Sequence, residues 1–349
     1  MELVKYGLLI FLVICAISVS LTKRLLTSIV IFMSYSSIMA IIWLMLESPD
    51  LAITEAAVGA GVDSILFFVT LKKIHAVENE ATVKKPKDIL DMEKHIEMKV
   101  YKKAYKASSV VICTSLIIIL LAVVSQLPMF GGANNPASNE VVERYIEKGM
   151  QETGAVNVVA GMILDYRAFD TFGESCVLFI AATCVMVLLR VDSKPKSLAM
   201  PSSANDRVYE PKNDLILQKI SKFLVPIIML YGVYVIFNGH LSPGGGFSGG
   251  AIIGAGLILY LNANGFEKTE KFFTSKVYKI ITCSCLTFYC LAKSYSFFTG
   301  ANHLHSIISP GTPGNLLSAG LILPLNICVG FVVACTMYSF YALFRKGNL

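Results

Sequence analysis

The sequence predicts an all-α, polytopic integral membrane protein of about nine transmembrane helices. Hydrophobic residues make up 55% of the 349-residue chain and charged residues 15%. With a mean hydropathy of +0.64, too few polar groups remain to cover a water-exposed surface. Apolar runs close to the roughly 20 residues that a bilayer requires recur along the chain. Lysine and arginine concentrate on alternate connections between those runs.

The runs follow in order. Leu3–Leu21 contains a stretch, Leu8–Leu21, with the look of a signal-peptide core. A second apolar run, Leu25–Leu46, follows after only Thr22, Lys23 and Arg24, and no small-residue cleavage site is evident, so the first helix is expected to be retained. Leu51–Leu71 forms the third span although it carries Glu55 and Asp63. A segment rich in Lys, Glu and Asp, Lys72–Lys106, then leads to the fourth span, Ser109–Leu127. Val156–Leu164 is apolar but short, and dips into the membrane as an extra element or stays outside it. Phe172–Arg190 is the fifth span, and a second linker, Lys194–Lys219, holds Pro195, Pro201 and Pro211. The last four spans are Phe223–Gly239, Gly246–Ala263, Val277–Phe298 and Leu316–Phe344. The chain thus divides into membrane modules 1–75, 107–192 and 215–349, joined by cytoplasmic linkers 76–106 and 193–214.

Alternating the sides sorts the charges. One side receives Lys23, Arg24, both linkers, Lys268 through Lys279, Arg345 and Lys346. The other receives mainly Lys5, Arg144, Lys148 and Arg167 beside many acids, among them Glu47, Asp50, Glu140, Asp165 and Asp170. The lysine and arginine excess marks the cytoplasmic face, which predicts the N terminus outside and the C terminus cytoplasmic in a multi-pass protein of a cell membrane.

Several classes are excluded. No basic stretch alternates with aromatic residues as nucleic-acid binding requires. The nine cysteines lie within apolar runs without C-x-x-C spacing and read as small packing residues, so neither a metal site nor a catalytic site is predicted. His303 and His305 have no evident ligand partners, and no phosphate loop, dinucleotide fingerprint or H-E-x-x-H motif occurs. No internal repeat of the kind that builds self-contained transporters is visible. Energy must come from an ion gradient or a partner subunit.

Three polar constellations remain. In the third span, Pro49 and Asp50 suit a helix start, and Ala56, Ala57, Gly59, Ala60 and Gly61 permit close helix approach. Glu55 falls about one turn inside the boundary and Asp63 about 12 Å further along. A carboxylate at such depth must pair, take up a proton or meet water, which suits a proton carrier or a hard ligand for Na+, or else a structural tie to a neighbouring subunit. At the outer end of the fifth span, Asp165, Asp170 and Glu174 crowd together. Asp170 and Thr171 also suit helix capping, Glu174 suits the helix dipole, and Arg167 suits their ion-pair partner. The third constellation, Asn238–Gly250, has Pro243 followed by Gly244, Gly245 and Gly246, a tight or partly unwound turn whose backbone groups can face an ion or another chain. His240 there is an interfacial hydrogen-bonding residue or a proton relay. Lys293 interrupts the eighth span, where it snorkels, pairs with an acid on another helix or joins a proton path.

These motifs carry a resemblance. The run S-P-D-L-A-I-T-E-A-A-V-G-A-G at Ser48–Gly61 resembles the C-terminal region of the large Mrp A protein of Mrp-type multisubunit Na+/H+ antiporters and the MbhD component of membrane-bound hydrogenases. Asn157–Glu174, especially L-D-Y-R-A-F-D-T-F-G-E, resembles the MbhE component of those hydrogenases, and G-H-L-S-P-G-G-G-F-S-G-G at Gly239–Gly250 resembles MrpB, equivalent to the hydrogenase component MbhF. The resemblance implies a non-catalytic subunit of a cation-translocating module that moves Na+ and H+. It implies a transport role for the acid at Glu55 and a lesser one for Glu174, and it carries no role onto Asp63. Expected partners are other Mrp/Mbh-type membrane subunits and the lipid bilayer, with iron–sulfur, NiFe or flavin cofactors only in hydrogenase-like or other redox subunits. Because the chain starts directly with the MbhD-like module, the hydrogenase-like arrangement is expected, in fused form, rather than that of a stand-alone antiporter.

Overall fold

In a computed structural model of the chain, residues 2–72, 99–129, 138–189 and 214–346 are described, together with Gly132 and Asn135. Helix accounts for all the regular structure among them. The chain divides into two compact units, Ile74–Arg144 and the remainder, Met1–Lys73 with Tyr145–Leu349.

The smaller unit contains one long helix, α4 (Lys99–Ser125), whose stretch Tyr105–Ser125 is long and apolar enough to cross a membrane. Most of linker 76–106 lies outside the described residues, and α4 begins within its end; of linker 193–214 only Asp214 is described, and Pro195, Pro201 and Pro211 lie outside.

The larger unit opens with α1 (Glu2–Leu21) and α2 (Leu25–Met45), which pack against each other across the Thr22–Arg24 connection. α3 (Pro49–Lys72) follows. Pro49 occupies its first turn, where the missing amide hydrogen leaves no helical bond unmade, and Asp50 lies beside it at the positive end of the dipole. From Glu55 to Asp63 the helix widens into a π-helix that packs on α2. The third predicted span is therefore one continuous element, interrupted in its register rather than in its path.

α5 (Glu140–Glu147) crosses the boundary between the units, and α6 (Gly149–Thr153) ends at Gly154, whose φ of 75° suits a residue without a side chain. The Val156–Leu164 segment folds as a short helix, α7 (Val158–Gly161), that runs into a second π-helical turn, Met162–Tyr166. It is far shorter than a span. α8 (Ala168–Leu188) comes next.

Four long helices complete the unit: α9 (Leu215–Phe237), α10 (Gly246–Asn264), α12 (Ser275–Ala301) and α13 (Ile322–Lys346), with a one-turn α11 (Phe266–Thr269) between α10 and α12. α10 lies between α9 and α13. Both contacts are backbone to backbone: a Cβ on Gly249 would fall 2.8 Å from the Gly232 carbonyl oxygen of α9, and one on Gly250 would fall 2.5 Å from the Gly330 carbonyl oxygen of α13. Without a hydrophobic drive between helices in lipid, such close approach supplies the dispersion contacts that hold them. α13 is the central helix, with Leu325, Val329 and Val333 packed among Val62, Leu164, Ala251 and Tyr289.

Eight described helices are long and apolar enough to cross a membrane. The remaining predicted span, Val277–Phe298, is the 27-residue helix α12, which has the length but not the apolarity. Its buried residues are Tyr278, Thr282, Tyr289, Lys293 and Thr299, all carrying a polar group, while Lys276, Lys279, Ser284, Thr287 and Ser294 on the same helix are exposed.

Candidate functional site

The acids of α3 stand at the two ends of its π-helical stretch, Glu55 opening it and Asp63 closing it. Both are half-buried. The Glu55 carboxylate folds over Gly59: a Cβ there would fall 2.5 Å from Glu55 Oε1 and 3.0 Å from Ser36 Oγ of α2. Ser36 is itself buried. A missing side chain thus opens a space that the Glu55 carboxylate and a hydroxyl of α2 approach from two sides. π-helical insertions of this kind cluster at functional sites because they re-aim side chains that a regular helix would direct elsewhere.

The glycine-rich turn is drawn to α3 and α7 through Asp50, which the sequence offers as part of a helix start, and Asn157. Asp50 Oδ1 accepts from the backbone N–H of Gly244 at 2.9 Å and from Asn157 Nδ2 at 3.3 Å. Asn157 Nδ2 also lies 3.2 Å from the Gly239 carbonyl and 3.1 Å from the Ser242 carbonyl, while its Oδ1 caps α7 by accepting from Val159 and Ala160. The Asn157 backbone N–H donates to the His240 carbonyl at 3.0 Å. Gly244 and Gly245, at φ of 133° and 131°, have a backbone that a side chain would strain, and Gly246 N–H donates to Asn326 Oδ1 of α13 at 3.0 Å. Pro243 precedes them in the same turn. Sequence reading missed Asp50, Asn157 and Asn326 as site residues; the available signal was that all three are polar within or beside apolar runs.

His240 is fully buried, and its Nε2 donates to the Asn315 carbonyl at 3.2 Å while Nδ1 has no partner. Asn326 Nδ2 likewise is buried without a partner.

The third cluster sits on the second π-helical turn. Asp165 Oδ1 lies 2.7 Å from Lys293 Nζ of α12, and Lys293 is 3% exposed. Of the readings open for Lys293, the structure takes pairing with an acid on another element. Asp170 pairs with Arg167 at 2.6 Å in an exposed contact. The capping role open to Asp170 and Thr171 is not taken: Arg167 holds the N-cap position of α8, and Thr171 Oγ1 donates instead to the Ile163 carbonyl at 2.8 Å. Glu174 lies one turn beyond Asp170 on an exposed face of α8. The seven candidate side chains therefore do not converge on one point. Among the described residues no three His, Cys, Asp or Glu side chains form a group able to hold a metal ion.

The fold and these clusters define a polytopic helical membrane subunit with acids placed inside its spans. Comparison with known proteins makes this specific. The MbhD family model, for the D component of MBH, matches residues 10–76, and the MbhE model, for the E component, matches 114–205. A model for a "domain related to MnhB subunit of Na+/H+ antiporter" matches 216–339. An uncharacterized protein of Methanocaldococcus jannaschii is 31% identical over 196 residues, covering 51% of this chain and 72% of its own length. In the Mrp complex from Dietzia sp. DQ12-45-1b, one chain superposes with a TM-score of 0.65 at 19% identity, over 98% of this chain and 34% of that one. A chain of the membrane-bound sulfane sulfur reductase, an archaeal respiratory membrane complex, gives a TM-score of 0.51 at 26% identity, over 67% of this chain and 96% of that one. The chain belongs to the Mrp/Mbh family of membrane subunits, as a fusion of segments related to MbhD, MbhE and MnhB.

Proposed function

We propose that the chain is a non-catalytic membrane subunit of the cation-translocating module of a redox-driven Mrp/Mbh-type complex and takes part in Na+ and H+ movement. The observation that carries the transport role is the Glu55 carboxylate, held at the head of a π-helical stretch in the space that Gly59 leaves open beside Ser36. An acid in that position has a second polar group at hand and backbone freedom around it, the requirements for taking up and releasing a cation or proton. Kinship with MbhD and MbhE, and with a chain of an archaeal respiratory complex, supports coupling to electron transfer. On this reading iron–sulfur, NiFe or flavin groups reside in partner subunits. The N terminus faces outward and the C terminus the cytoplasm.

A stand-alone antiporter is the second reading, favoured by the MnhB-related segment 216–339. Glu55→Gln tests the transport role. In inverted membrane vesicles the variant should keep its partner subunits and lose Na+-dependent pumping; pumping at the parental rate, or loss of assembly instead, points to a scaffold. Copurification in mild detergent separates the two drivers, since redox subunits accompany the chain only in the first case.

A further inference from the structure

α12 turns a polar side inward. Its fully buried residues Tyr278, Thr282, Tyr289 and Lys293 lie on one side, and its outer surface is mixed, with Ile280, Leu291, Phe297 and Phe298 exposed at 61% or more beside the exposed Lys279, Ser284, Thr287 and Ser294. Fifteen residues separate Tyr278 from Lys293, about 22 Å at 1.5 Å per residue, or most of a hydrocarbon core about 30 Å thick. The rings of Tyr278 and Tyr289 pack in the two apolar clusters, so the polar groups this side presents are their hydroxyls with Thr282 and Lys293, and such groups inside a membrane face a bundle interior or a water-filled cavity.

The surrounding groups agree. At one end stands the Lys293–Asp165 pair. One turn along, the Tyr289 hydroxyl donates to the Ala168 carbonyl at 3.0 Å, and the Thr171 hydroxyl of α8 lies close to it. At the other end the Tyr278 hydroxyl approaches Thr336 of α13, yet neither oxygen has a hydrogen-bond partner, and the buried Ser175 hydroxyl of α8 has none either. Buried hydroxyls left without protein partners are the sites that ordered water fills.

We propose that the buried face of α12 lines a hydrated proton passage running from the Asp165–Lys293 pair to the Tyr278–Thr336 pair. Protons move along it by hops between oxygens, each hop breaking one O–H bond and forming the next, so no oxidant or other reactant is consumed. This deepens the transport reading above and rests on it, although the passage is separate from Glu55.

Water access is tested first with silver ion, which is small and reacts with thiolates but not with thiols in hydrocarbon. In membranes holding the assembled complex, the chain is stripped of its nine cysteines, and either Thr282→Cys is introduced or Cys283, exposed about 100° further round the helix, is retained. Thr282→Cys should react at least about tenfold faster than Cys283, because only a wetted thiol ionises. Equal rates overturn the passage, and this readout does not depend on whether Glu55 transports ions. Second, with the native cysteines kept, Tyr278→Phe should lower proton flux severalfold at unchanged subunit content. Undiminished flux also overturns the proposal.

Discussion

Lys293 of α12 and Asp165 of the second π-helical turn meet at 2.7 Å, although 128 residues separate them in the chain. Their surroundings are unequal, with Lys293 at 3% and Asp165 at 37% exposure. The ammonium is therefore the group that depends on its partner. Removing Asp165 leaves a buried charge uncompensated, whereas removing Lys293 leaves a carboxylate with access to solvent.

Asp165→Asn is accordingly expected to destabilise the chain more than Lys293→Met. Breaking a buried pair costs about 3–5 kcal/mol, and the partial exposure here reduces that to about 1–3 kcal/mol. Thermal unfolding of the purified complex, with both singles and the double variant, measures the coupling. An additive double variant would show that the two residues do not interact.

Gly59→Ala should reproduce the transport defect of Glu55→Gln while Glu55 itself remains. The added methyl carbon falls 2.5 Å from Glu55 Oε1 and 3.0 Å from Ser36 Oγ, so the carboxylate must swing away. Na+-dependent pumping, compared at equal subunit content, is the measurement, and parental pumping would remove the argument for this carboxylate position.

Asn157→Ala removes both the cap of α7 and the side-chain bonds that reach the glycine-rich turn and Asp50. Loss of an N-cap costs about 1 kcal/mol, and unsatisfied buried partners add about 1–3 kcal/mol. A lowered midpoint of thermal unfolding and faster proteolysis within 238–246 are expected. Asn157→Asp should restore the cap but not the donor, and so recover only part of the loss.

A reporter fused after Leu349 is expected to read out on the cytoplasmic side, since Arg345 and Lys346 follow the last span. Activity of the reporter on the outer side overturns the orientation of every loop together.

The spans were legible because apolar length needs no tertiary information: Leu25–Leu46 was expected and Leu25–Met45 is helical, and Leu51–Leu71 falls within Pro49–Lys72. α12 was legible as a helix, and Lys293 marked it as unusual. Its pairing with Asp165 was not, because nothing local to either residue specifies which distant element will face it. The two π-helical stretches were also hidden, since whether a helix bonds to the fourth or the fifth residue depends on the neighbours it must fit. Asp50 and Asn157 were passed over because a polar residue near a helix start is explained equally well by capping, and both do sit at helix starts. What distinguishes them is a third element, the glycine-rich turn, arriving from beyond residue 237.

A hinge needs slack, and the glycine crossings at Gly232–Gly249 and Gly250–Gly330 leave none. With backbones in close approach on both flanks of α10, helices α9, α10 and α13 leave no room for even a methyl group at these crossings. These three helices form a keel, and any working motion of this unit falls to the helices that lean on it, α3 and α12 among them.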